Sequence, residues 1–257
     1  MKLAVAIALL ASVACVMATD PPSAVELARH LDEMRRPARS FELHLTLQEW
    51  RNGQKDHAAE YQVFARRDGE DFFTLTRCLA PEEDRNKVLL ARGRELWLFD
   101  PKSARPTRIP PQRLRAKTWD IDVLSSSFVT DYEPEFLGEE NATDAARKER
   151  ACHHLKLTLH DKGNPTAPAA IEYWVDRETQ RPVEARFFNA AGKMLRTLHY
   201  ANFVNALGAW RPGRAFVTGI QTGLVEELRF SEMAYRDLPE RLFTIEALAQ
   251  ISRGEAP

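Results

Sequence analysis

The sequence predicts a mainly β protein, an α+β fold in which one large curved antiparallel sheet is covered by helices near the two ends of the chain. Three observations carry this. From Phe41 onward apolar residues alternate with polar ones at a period of two, the period of a half-buried strand. Asn52-Gly53 and Asp68-Gly69 are hairpin signals, and such short links leave successive strands antiparallel. The 257 residues are 44% hydrophobic and 28% charged with a net charge of -1, a globular composition at a length that all-β folds often use for one core.

Residues 1–18 carry Lys2 and then an apolar run from Leu3 to Ala18 that ends in small residues, which reads as a secretory signal peptide. The run is shorter than the ~20 residues of a membrane span. Cleavage after Ala18 leaves one domain over 19–257. A second reading places a lipid on Cys15, because Ser12-Val13-Ala14-Cys15 resembles a bacterial lipobox. Ser23 caps a helix that reaches about Arg36, with Val25, Leu27, Ala28, Leu31 and Met34 on one side and Pro37 ending it.

Strands are predicted at 41–50, 56–67, 71–79, 86–92 and 95–99, punctuated by the two hairpin signals and by Gly93. A proline-rich stretch, 101–111, opens an irregular segment that runs to Thr130. Further strands follow near 131–139, 150–160, 169–176 and 182–189, then three long ones at 193–206, 209–220 and 223–235. Pro239 precedes a short helix, 245–251, whose Leu248 and Ile251 can lie on the sheet. A sheet of roughly a dozen strands must curl, and its concave face needs a cover. The two terminal helices are available for it, and incomplete filling leaves an apolar cleft suited to a ligand. Alternation on the most regular strands puts Leu43, Leu45, Val63, Phe73, Leu75, Leu89, Leu157, Tyr173 and Phe187 on that face as candidate lipid-binding residues.

No G-x-S-x-G elbow, H-E-x-x-H, phosphate-binding loop or C-x-x-C pair occurs, so the sequence reads as non-enzymatic, without metal or cofactor. Cys152, His154 and His160 share a strand face but read as the polar side of an ordinary strand. Cys78 and Cys152 could pair in an oxidising compartment or remain two buried thiols. Trp97, Trp119, Trp174 and Trp210 could line a cleft or simply pack. Near-neutral charge, with 36 Lys and Arg against 37 Asp and Glu, argues against nucleic acid. Lys102, Arg105, Arg108, Arg113, Arg115 and Lys117 nevertheless cluster with no acid between Pro101 and Trp119, either as a contact patch for a membrane surface or partner or as a solvated loop.

Five segments resemble the LolA-like outer-membrane lipoprotein-sorting family. They are VLLARGRELWLFDPKSARPTRIPP, SSSFVTDYEPEFLGEE, CHHLKLTLHDK, IEYWVDRETQRPVEARFFNAAGKMLRTLHYANF and LPERLFTIEAL, spread from about Leu89 to Ile251. They look like the family's strand with an Asp-Pro turn, its Ser-Phe-Asp segment, its strand pair around a W-V-D turn, and its terminal L-P-x-x-x-F-T helix. The resemblance implies a half-barrel of eleven or so strands closed by helices and exported to the periplasm. It implies a carrier that shelters acyl chains of lipoproteins or phospholipid on the way to the outer membrane. It further implies an inner-membrane transporter as donor, transient membrane contact and no catalysis. The same half-barrel also resembles periplasmic domains that sense lipid or peptide and report to a membrane partner, which is the alternative reading.

Overall fold

Ser23 starts the first helix, α1 (Ala24–Arg35), through a capping box in which its hydroxyl accepts from the Glu26 amide and the Glu26 carboxylate accepts from the Ser23 amide. The structure is a computed structural model that describes residues 22–69, 71–92, 95–110, 126–160, 167–220 and 222–255. The segment 1–18, with Cys15, lies outside the described residues, as do Arg113, Arg115, Lys117 and Trp119. Leu27, Ala28, Leu31 and Met34 are buried as the helical period predicts, whereas Val25 is 42% exposed and belongs to the outer side.

Thirteen strands follow among the described residues: β1 (Phe41–Arg51), β2 (Gln54–Asp68), β3 (Asp71–Ala80), β4 (Val88–Arg92), β5 (Glu95–Asp100), β6 (Arg105–Arg108), β7 (Tyr132–Thr143), β8 (Glu149–Leu159), β9 (Ala170–Asp176), β10 (Pro182–Phe188), β11 (Met194–Ala206), β12 (Ala209–Gly219) and β13 (Leu224–Tyr235). A 3-10 turn (Glu240–Phe243) and a short helix, α2 (Leu248–Ser252), close the described chain. The strand β6 falls inside the stretch expected to be irregular. It is four residues long, carries Pro106 and two arginines, and sits at a sheet edge, where a missing amide donor is tolerated and charge discourages further pairing.

All strands belong to one antiparallel sheet, not closed into a barrel, in the order β6-β5-β4-β3-β2-β1-β13-β12-β11-β10-β9-β8-β7. Two consecutive meanders, β1 to β6 and β7 to β13, meet where β1 pairs with β13. Asn52 and Gly53 both have positive φ, as the tight turn between β1 and β2 requires.

Register assigns every side chain to a face. Phe41, Leu43, Leu45 and Leu47 share one face with Ala65, Val63, Tyr61 and Ala59 of β2, and with Phe230 and Leu228 of β13. This inner face continues through Ala215 and Val217 of β12, Leu198 and Tyr200 of β11, and Ala185 and Phe187 of β10. Helix α1 lies on it, burying Leu27, Ala28 and Leu31 against Leu155, Leu157, Ile171, Tyr173 and Val175. The C-terminal segment covers the other face: Leu242, Phe243, Leu248 and Ile251 pack on Phe64, Phe73, Leu75, Val88, Leu90 and Phe99. Both helices cover the half-barrel, but from opposite sides. The two helices do not share the concave face as expected, because neighbours 72 and 73 of β3 point opposite ways and only Phe73 meets the C-terminal segment.

Cys78 and Cys152 are not joined. They stand on β3 and β8, eight strand spacings apart in the sheet order, far beyond disulfide reach.

Candidate functional site: an apolar cleft between helix and sheet

Where α1 leaves the inner face uncovered, a cleft of about 190 Å³ remains. Leu31, Met34 and Arg35 of α1 form its roof. Its floor and walls come from β1 (Leu43, Leu45), β2 (Val63, Ala65), β3 (Phe72, Thr74), β9 (Tyr173), β10 (Phe187), β11 (Leu198, Tyr200), β12 (Ala215, Val217) and β13 (Leu228, Phe230). The site therefore spans the seam between the two meanders, and each wall residue is an inner-facing member of an alternating strand.

Five of the sequence-predicted residues, Leu43, Leu45, Val63, Tyr173 and Phe187, line this cleft. Four stand elsewhere. Phe73 and Leu75 are on the outer face beneath the C-terminal segment. Leu89 is on the inner face beyond the cleft, beside Ala91, Leu96 and Ile109. Leu157 is on the inner face but lies in the solid core under α1, with no accessible surface. The sequence reading missed Met34, Phe72, Leu198, Tyr200, Leu228 and Phe230. A period-two signal was present for the last four, in strands whose boundaries were read correctly.

The roof is fixed by polar groups. Arg35 Nη2 donates to Asp32 Oδ1 at 2.6 Å and to the Ser126 carbonyl at 2.7 Å, and the guanidinium lies 3.6 Å over the Phe128 ring. Asp32 Oδ2 accepts from the Ser127 hydroxyl at 2.9 Å and from the Phe128 amide at 2.7 Å. Asp131 accepts from the Ser127 amide at 2.7 Å. The Ser-Ser-Phe-Val-Thr-Asp segment is thus the seat of α1. At the same, C-terminal end of the helix, Arg211 donates to the Glu33 and Met34 carbonyls and to the Ala206 and Leu207 carbonyls of the β11–β12 turn. A cation there also complements the helix dipole.

Few polar groups enter the cleft itself. The Tyr173 and Tyr200 hydroxyls meet at 3.2 Å, and burial raises the pKa of both phenols. Burial lowers the Arg196 guanidinium to about 10, against the attraction of Glu226, so it stays charged at neutral pH. Its ring neighbour is Phe187, 4.5 Å from the guanidinium carbon. Burial first, and Glu49 opposite it across β1 and β13, push Glu226 up to about 8.

Cys152 and His154 face outward, and His154 stacks on Trp174 at 4.3 Å between Glu140 and Glu172. His160 is exposed. None of the four described tryptophans lines the cleft; of those read as candidates, Trp97 and Trp174 sit on the outer face and Trp210 is 48% exposed. In the basic patch, Lys102 and Arg105 are exposed on the β5–β6 turn and β6, and Arg108 pairs with Glu95 at 3.2 Å. Among the described residues no helix is long and apolar enough to cross a membrane.

A family model described as "Uncharacterized protein" matches residues 70–250. No curated protein sequence matches the chain. Among solved structures, a LolA superfamily protein from Nitrosomonas europaea is similar over 87% of this chain and 98% of its own, with a TM-score of 0.71 and 28% identity. A DUF1329 family protein from Desulfovibrio piger has a TM-score of 0.75 at 19% identity, covering 88% of this chain and 97% of its own. A domain from Vibrio parahaemolyticus named for outer membrane lipoprotein sorting has a TM-score of 0.73 at 20% identity, with 88% and 97% covered. The last two similarities concern the fold alone.

Proposed function

The chain belongs to this family of uncharacterized proteins and folds as a LolA-like half-barrel, and from that premise we propose that it is a periplasmic carrier of acyl chains. The carrier shelters chains of lipoproteins or other lipids during transfer towards the outer membrane, after export with removal of residues 1–18. The observation that carries the reading is the cleft. Its wall is almost wholly aliphatic and aromatic, and it is roofed by a helix whose last turn is held from two sides by hydrogen bonds.

The physical need for such a cleft is large. A sixteen-carbon chain gains on the order of 12 kcal/mol by leaving water, at about 0.8 per methylene, so free passage through the periplasm is very slow. A carrier lowers that barrier only by replacing water with apolar contacts. Handover further requires an affinity not much above that of the membrane, which favours a loose cavity over a tight one. Leu43, Leu45, Val63, Tyr173 and Phe187, joined by Leu198, Tyr200, Leu228 and Phe230, are the proposed lipid contacts. Lys102, Arg105 and Arg108, with Arg113 and Arg115, supply brief salt-sensitive attraction to anionic headgroups or to a donor transporter. The reading assigns no catalysis.

The test is organic extraction of protein recovered from a periplasmic fraction, followed by lipid mass spectrometry. An acyl lipid in stoichiometric amount, absent from a folded Leu45→Glu variant, is the expected result. Protein that is empty on isolation and takes up no offered lipid would overturn it.

A further inference from the structure

The hairpin between β11 and β12 ends in an apolar turn, Ala206-Leu207-Gly208-Ala209, closed by the pairing of Ala206 with Ala209. Leu207 and Gly208 both have positive φ, 53° and 73°. Asparagine or glycine suits the first of these positions, and leucine adopts it only at a steric cost. What the leucine gains is contact, because its side chain is buried and lines the cleft. Just behind the turn, Val204 is 42% exposed and Trp210 48%. Val204 lies opposite Arg211 and Trp210 opposite Asn205, so alternation turns the two to opposite faces of the hairpin. The carbonyls of the turn are occupied from within: that of Leu207 accepts from the Tyr235 hydroxyl at 2.6 Å, and that of Ala206 from Arg211 at 3.1 Å. Two cations bracket the hairpin. Arg181, at the start of β10, lies 4.2 Å over the Trp210 ring, and Arg39 lies 4.2 Å over the Tyr235 ring of β13. Among the described residues neither arginine has an acidic partner.

Resting on the carrier reading, we infer that this hairpin enters the surface of an anionic lipid bilayer, with Val204 and Trp210 below the headgroups, Arg39 and Arg181 on the phosphates, and Leu207 joining the bilayer to the cleft. A protein partner with a flat surface covers one face of a hairpin. Apolar groups exposed on both faces need surroundings instead, and a lipid layer supplies them. Carbonyls satisfied from within are what immersion in an apolar layer demands. Tryptophan favours the boundary between headgroup and acyl chain, and arginine reaches the phosphate from there while its stem stays in the apolar layer. The β5–β6 turn, with Lys102 and Arg105, stands at the opposite ends of the strands and carries no large apolar side chain. It attracts headgroups without entering between them.

Val204→Cys labelled with the environment-sensitive dye NBD tests this, since Cys78 and Cys152 are buried and escape labelling. With vesicles of equimolar phosphatidylethanolamine and phosphatidylglycerol the emission is expected to rise and move to the blue, while the same dye at Ser103→Cys, on the β5–β6 turn, stays unchanged. Val204→Ser combined with Trp210→Ser should weaken vesicle binding in co-sedimentation by about tenfold or more. Arg39→Gln and Arg181→Gln should each weaken it by about fivefold, on anionic vesicles only and less as salt rises. An unchanged emission at position 204 overturns the inference, whether the protein stays in solution or is held at another site. So does a change that appears only with native membranes and is lost when these are treated with protease, which would make the occupant a protein. Uptake of an acyl probe offered in solution separates this inference from the carrier reading. The double serine variant should keep that uptake and pass the probe to vesicles about tenfold more slowly. If the unaltered protein takes up no probe, the carrier reading fails on its own account, whatever the label at position 204 shows.

Discussion

Replacing Asp32 by Ala should loosen the roof of the cleft. Asp32 is 9% exposed, and its carboxylate makes three short contacts: to Arg35 at 2.6 Å, to the Ser127 hydroxyl at 2.9 Å and to the Phe128 amide at 2.7 Å. Removal leaves the Phe128 amide without its acceptor and takes the counter-charge from a nearly buried arginine. Breaking such a pair from one side costs 3–5 kcal/mol, and the lower end applies because the Ser126 carbonyl and the Phe128 ring still hold Arg35. About 3 kcal/mol corresponds to a fall in Tm of roughly 6–12 °C for a chain of this size. Asp32→Asn keeps an acceptor for the two neutral donors and should cost about 1 kcal/mol. Urea unfolding of the three proteins measures both steps, and a faster exchange of the α1 amides in Asp32→Ala would locate the loss. Equal costs below 1 kcal/mol for Ala and Asn would refute the view that charge on Asp32 seats the helix.

Leu45→Glu places a carboxylate in the cleft wall and should abolish uptake of a fluorescent acyl probe with circular dichroism unchanged, whereas Leu157→Glu, in the solid core, should prevent folding outright. Because folding raises the Glu226 pKa from 4.5 to about 8, the folded state favours the protonated form. Its stability is fully present below pH 4.5 and is lost progressively up to about pH 8, so the advantage of Glu226→Gln over the unaltered protein should grow across that window in denaturant melts. Charge reversal at Arg105 and Arg108 should slow transfer of lipid to anionic vesicles, with the difference shrinking as salt rises; a deficit that salt leaves untouched would point to a specific interface instead.

Strand existence was highly legible because alternation is a local signal. Strand faces were not. In β3 the sequence Asp-Phe-Phe-Thr-Leu-Thr has apolar residues on both sides, and the stronger set, Phe73 and Leu75, faces outward because the C-terminal segment covers it. A rule that sends the more apolar side inward fails wherever a sheet is covered twice. Leu157 was placed on the correct face, but only the path of α1 decides whether an inner-facing leucine meets helix or cavity. Arg196 escaped notice for a related reason. A lone arginine in a strand gives no sign of depth until register carries it alongside Leu198 and Tyr200, opposite β12. The Ser-Ser-Phe-Val-Thr-Asp segment was recognised as a pattern, while its partner Asp32 lies nearly a hundred residues upstream.

The pairing of β1 with β13 also governs when the protein can fold. Phe41 lies opposite Tyr235, so the sheet cannot be completed until almost the whole chain is present, and this closure carries the largest loop entropy in the sheet. Until then each meander folds by local hairpins and keeps one long unpaired edge, of which β1, with its three inner leucines and Phe41, is the more adhesive. The seam is also the floor of the cleft, where Leu43 and Leu45 meet Leu228 and Phe230. A chain cut short before β13 therefore exposes a sticky edge and has no cargo site, and only a full-length chain can hide the one and form the other.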